Sequence, residues 1–146
     1  VAARRKARKR ALDVLFEADQ RRLPILDVLS SRIERPGTEA PLPEYAVAIV
    51  TGVAGALSEL DRVISEASEG WSLDRMPAVD RAVLRIAAWE IGHNPEVETA
   101  VAIDEAVEMV SDLSTEASSS FVNGVLASIA SATPPWRTAG ADDPVE

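Results

Sequence analysis

"YAVAIVTGVAGALSELDRVI", residues 45–64, decides the fold class. Its apolar positions Ala46, Ile49, Val50, Val53, Leu57, Leu60 and Ile64 follow spacings of 3, 1, 3, 4, 3 and 4, the period of a helix with one face in a core. The same spacing continues in both directions. Upstream, residues 3–20 place Ala7, Ala11, Val14, Leu15 and Ala18 on one stripe, and a helix starting near Pro24 carries Val28, Leu29 and Ile33 inward. "RPGTEAPLP", residues 35–43, is then a loop, because Pro and Gly break the run. Downstream, a helix over Ala78 to Ile91 buries Val79, Val83 and Ile86, with Gly92 expected as a left-handed cap and Pro95 as a stop. Ile103, Ala106, Val107 and Val110 define a helix over about Ala100 to Leu113; after the polar "STEASSS", Val122, Val125, Leu126 and Ile129 define another over about Phe121 to Ala130. No strict period of two persists. The chain reads as all-α: one helical domain over residues 1–132, a bundle of about six to seven helices, followed by a flexible C-terminal tail over 133–146.

Bulk properties narrow the function. At 146 residues, 47% of them hydrophobic, one core suffices. The longest apolar run, Tyr45 to Leu57, falls short of the ~18 residues a membrane span requires. Asp13, Glu17 and Asp19 interrupt any apolar region behind the first cations, so a secretory signal is not expected and a cytoplasmic location is. The absence of Cys excludes disulfides, thiolate metal sites and cysteine nucleophiles.

Charge is distributed unevenly. "ARRKARKRALDVLF", residues 3–16, places six of the fifteen Lys and Arg residues between Arg4 and Arg10, leaving nine against twenty-four Asp and Glu over residues 11–146. A net charge of −9 repels phosphate everywhere except near this patch. On a helix, Arg5, Lys9, Leu12 and Phe16 follow spacings of 4, 3 and 4, presenting two cations and then a ring. Cations for phosphates and a ring for bases suit a single-stranded nucleic acid. The competing reading makes Phe16 core and the cations a solvated leader. Catalysis finds little support, since His93 lies in a turn beside Gly92 and Asn94, and no phosphate loop or strained nucleophile turn occurs. Asp104 and Glu108 lie one helical turn apart, close enough to share a metal, but a solvated acidic face is the commoner cause of such spacing. A non-enzymatic protein with no catalytic residues, cofactor or metal is therefore expected.

Two further segments, "WSLDRMPAVDRAVLRIAAWEI" (71–91) and "VAIDEAVEMVSDLSTEASSSFVNGVL" (101–126), together with "ARRKARKRALDVLFEAD", closely resemble the NusB family of bacterial transcription antitermination factors, with order and spacing kept from about Ala3 to Ala130. The resemblance implies a fold of two packed sub-bundles. It also implies binding to single-stranded boxA RNA of ribosomal RNA operon transcripts, with the ribosomal protein NusE as partner and with other Nus factors and RNA polymerase engaged indirectly. By family position, Arg4, Arg5, Lys6, Arg8 and Lys9 are expected to contact RNA, joined by Phe16, Arg85, Ser120, Phe121 and Asn123. Asp80, Trp89 and Glu90 are expected toward NusE, the two carboxylates as salt bridges to that basic partner. Trp89 reads equally as core, and Asn123 equally as a buried hydrogen-bonding residue. Gly124, costly inside a helix, suggests close approach by a neighbouring helix. Two other readings stay open: the substrate-placing domain of an RNA cytosine methyltransferase, which requires a βαβ pattern these residues do not show, and a protein-interaction module whose basic arm meets an acidic surface. A homodimer is compatible with the sequence, because an apolar helix face serves a core or a second copy equally well.

Overall fold

The computed structural model describes residues 2–36 and 40–132; the tail expected over 133–146 lies outside them, as do 37–39 of the loop. Among the described residues the chain forms α1 (Ala2–Arg21), α2 (Ile25–Glu34), α3 (Glu44–Gly55), α4 (Leu57–Ala67), α5 (Ala78–His93), α6 (Thr99–Leu113) and α7 (Glu116–Ala132), with one 3₁₀ turn at Leu73–Arg75. No described helix is long and apolar enough to cross a membrane.

α1, α2 and α3 pack together, α4 to α7 form a second group, and α5 joins the two by lying on both α1 and α3. This is the two-sub-bundle arrangement the family resemblance implied. The central place of α5 follows from its composition. Ala82, Val83, Leu84, Ile86, Ala87, Ala88 and Ile91 are buried on nearly every side of it, as expected for a helix with neighbours all round. Trp89 reaches α3 directly: a Cβ on Gly52 would overlap its indole. Only glycine permits that approach.

The 45–64 stripe is buried as read, except that Leu57 is partly exposed, but it belongs to two helices. The chain leaves helical geometry at Ala56 (φ −116, ψ 19), whose N–H bonds back to the carbonyls of Gly52 and Val53. Gly52 and Gly55 weaken the helix just before the break. The spacing of four from Val53 to Leu57 survives the break, so periodicity alone does not reveal it.

Four other expectations are corrected. α7 begins at Glu116, five residues before Phe121, because Thr115 caps it: its Oγ1 accepts from the Ser118 N–H at 3.2 Å. α5 continues through Gly92 to His93, and positive φ occurs instead at Arg22, Glu69 and Gly70. Ile33, expected inward, is 52% exposed at the last turn of α2. Gly124 is exposed with open space where a Cβ would stand, so no helix approaches it closely.

Candidate nucleic-acid interface

The inner face of α1 carries a buried cation. Arg8 is 3% exposed, and its Nε donates to Glu90 of α5 at 2.9 and 3.2 Å. Tyr45 at the start of α3 donates its hydroxyl to the same carboxylate at 2.5 Å and accepts from Asn94 Nδ2 at 3.0 Å. The guanidinium carbons of Arg4 and Arg8 lie 4.7 and 5.9 Å from the centre of the Tyr45 ring. Burial pushes the Glu90 carboxyl above its usual range, against the opposing pull of Tyr45 and Arg8. Burial, reinforced by Glu90, likewise raises the Tyr45 hydroxyl. One charged cluster thus ties α1, α3 and α5 together.

The outer edge of α1 differs. Arg5 grips Glu105 of α6 with two hydrogen bonds, Nε to Oε1 at 3.0 Å and Nη2 to Oε2 at 2.8 Å, and its Nη2 lies 3.3 Å from Glu108 Oε1. The Arg5 hydrogen bond holds the Glu105 carboxyl below its usual range. Arg4 pairs with Glu96 at 3.1 Å, and Arg10 donates to the Ala40 carbonyl at 2.8 Å. Lys6 and Lys9 are exposed and have no hydrogen bond or ion pair to another described residue. Lys9 borders a shallow cleft of about 300 Å³ shared with Arg5, Glu105, Glu108, Met109 and Asp112.

A second group lies at the start of α7. Ser120 and Asn123 are exposed, and Phe121 is half-buried with its ring centre 6.3 Å from that of the exposed Trp71. Together these rings border a cavity of about 290 Å³ with Met76, Pro77, Asp80 and Ser118. The first turn of α5 holds this group to the far end of α1: Ser118 Oγ donates to Asp80 Oδ2 at 2.7 Å, and Arg81 Nη2 meets Asp19 Oδ2 at 2.5 Å. Asp80 and Glu90 are ten residues apart on one helix, about 15 Å along its axis. Along the axis of α5, Phe121 is therefore level with the Asp19 end of α1 and not with Arg8. Phe16, 37% exposed, belongs to that same end of α1, whereas Leu12 is 3% exposed and interrupts the stripe from Arg5 to Phe16.

Several expected contact residues are turned inward. Arg8, Asp80 and Glu90 are at most 3% exposed, so none offers its charge to RNA or to a protein partner in this conformation. The reason lies in α5: on a helix buried on nearly every side a carboxylate depends on partners from the helices around it, Arg8 and Tyr45 for Glu90 and Ser118 for Asp80 Oδ2, while Asp80 Oδ1 is buried without a hydrogen-bond partner among the described residues. Trp89 packs on Gly52 and not outward. Arg85 grips Asp61 of α4 at 2.8 and 2.9 Å and borders a groove with Leu15, Asp19 and Leu23, apart from the leading cations. Residue typing alone also passed over Glu105 and Tyr45. The signal for Glu105 was present, since Glu105 and Glu108 repeat the three-residue spacing of Arg5 and Arg8 with opposite charge. His93 Nε2 lies 3.2 Å from Glu59 on the surface, and among the described residues no three acidic or His side chains cluster to hold a metal.

The chain matches the model of the NusB family over residues 5–131. It is 56% identical to the transcription antitermination protein NusB of Kineococcus radiotolerans, over 89% of this chain and 94% of that protein. It is also 48% identical to the protein of the same name from Beutenbergia cavernae, over 94% and 95% of the two chains. Among solved structures it superposes on NusB of T. maritima with a TM-score of 0.79 at 33% identity, covering 93% and 96% of the chains. A structure of antitermination factors NusB and NusE in complex with double-stranded RNA gives a TM-score of 0.78 at 27% identity, over 90% and 98%.

Proposed function

The chain belongs to the NusB family of transcription antitermination proteins, and from that premise we propose that it binds single-stranded boxA RNA of ribosomal RNA operon transcripts together with NusE. It acts in the cytoplasm as a non-enzymatic factor, and the RNA complex engages the other Nus factors and RNA polymerase. The observation that carries the reading is the cation-rich end of α1 on an otherwise acidic chain, where Lys6 and Lys9 have no described partner to give up before meeting phosphate. Arg4 and Arg5 supply further charge. Phe16, Ser120, Phe121 and Asn123, exposed or half-buried, extend the surface toward the far end of α1, where bases stack on the rings. Association with NusE is supported by the solved NusB–NusE–RNA complex that the fold resembles.

The test is binding to a boxA-containing single strand and to a scrambled strand, with and without NusE, across a salt series. Tighter boxA binding, strengthened by NusE and weakened by salt, is expected. Equal weak affinity for both strands under every condition would overturn the reading.

A further inference from the structure

The two carboxylates on Arg5 are not equivalent. The Glu105 side chain is 10% exposed, meets Arg5 through both oxygens and lies 3.7 Å from Arg8 as well. The Glu108 side chain is 55% exposed and approaches Nη2 alone, at 3.3 Å. A guanidinium has five donors in a planar fork, and Glu105 takes the edge formed by Nε and Nη2. Arg5 itself is 46% exposed at its side chain, so its remaining donors are reachable from the cleft that Lys9 borders.

We infer that Glu108 is an affinity-setting residue: its carboxylate occupies the place on Arg5 that an RNA phosphate takes in the complex. This rests on the RNA-binding reading above and assigns the leading cations different parts. Lys6 and Lys9 meet phosphate without a prior partner. Arg5 meets it by exchange, releasing Glu108 while the buried Glu105 keeps the guanidinium oriented. Glu108 thereby lowers the affinity of any anion that must displace it from Arg5.

The deciding experiment is a double-mutant cycle on the full chain with the boxA-containing strand. Glu108→Gln should tighten binding by about threefold to fivefold, the upper part of the range for an exposed ion pair. In the Arg5→Ala background the same change should give less than about twofold. Asp104→Asn, an equal charge change at an exposed position of α6, should also give less than about twofold. A gain of the same size without Arg5, or no gain when the unsubstituted chain binds RNA, overturns the inference alone. Failure of the unsubstituted chain to bind RNA at any salt overturns the RNA reading and this inference with it.

Discussion

Arg8 and Lys9 come from one run of cations, yet Arg8 ends 3% exposed against Glu90 and Tyr45 while Lys9 stands in solvent beside a carboxylate-lined cleft. The two faces of α1 teach that a basic segment need not act as one patch. On the inner face the cation completes a core built around α5, where an unpaired Glu90 would be costly. On the outer face Lys9 has no hydrogen bond or ion pair to another described residue, and its charge stays in solvent.

The largest effect expected from this contrast is at Arg8. Arg8→Ala should destabilise the fold by about 3–5 kcal/mol, because it leaves the Glu90 carboxylate buried without its cation; chemical denaturation measures it. A cost below about 1 kcal/mol, accompanied by weaker RNA binding, would break the comparison by making Arg8 a ligand residue.

An intermediate effect is expected in acid. Glu105, held below its usual value of 4.5 by Arg5, stabilises the fold fully above that value, and this contribution is lost as pH falls through its lower folded value. Glu17, held down chiefly by Arg21, acts in the same direction. Glu90 acts oppositely: raised by burial, it favours the fold most below 4.5 and less as pH climbs through its folded value. Stability followed from about pH 5 to about pH 3 should therefore fall less steeply in Glu105→Gln than in the unsubstituted chain. Parallel curves would show that the outer pair contributes nothing to the fold.

The smallest change in stability is expected at the free cations. Lys6→Ala combined with Lys9→Ala should stay within about 0.5 kcal/mol. The same pair should flatten the log–log salt dependence of single-strand RNA binding by about 1.4, two phosphates lost. Unfolding by more than that, with RNA binding intact, would reverse the roles assigned to the two faces.

The contrast also marks how far the sequence was legible. Helical class, and the buried stripes of α1, α3, α4 and α7, follow from spacing, because a core selects apolar residues at the period of the helix; in α6 Ala106 and Val110 are buried as expected, while Ile103 and Val107 are only partly buried. The break at Ala56 was hidden because the stripe crosses it in register. Asp80 and Glu90 were misplaced for a physical reason: charged residues on a helix usually mark its wet face, and α5 has almost none. Their partners Ser118, Tyr45 and Arg8 lie 38, 45 and 82 residues away, beyond the reach of any local pattern. Lys6 and Lys9 were legible as candidates, but their freedom was not, since it depends on which carboxylates α6 presents to their neighbours.

Gly52 has a consequence for the molecule as a whole. The Trp89 indole rests on it, and Arg8 reaches Glu90 across the same seam, so separating α5 from α3 and α1 would strip an aromatic ring from its seat and strand a buried charge. Neither half can come apart first without incurring both losses. The two sub-bundles should thus melt as one cooperative unit, with Trp89 fluorescence, read in a chain whose Trp71 and Trp136 are replaced by Phe, reporting the opening of the seam.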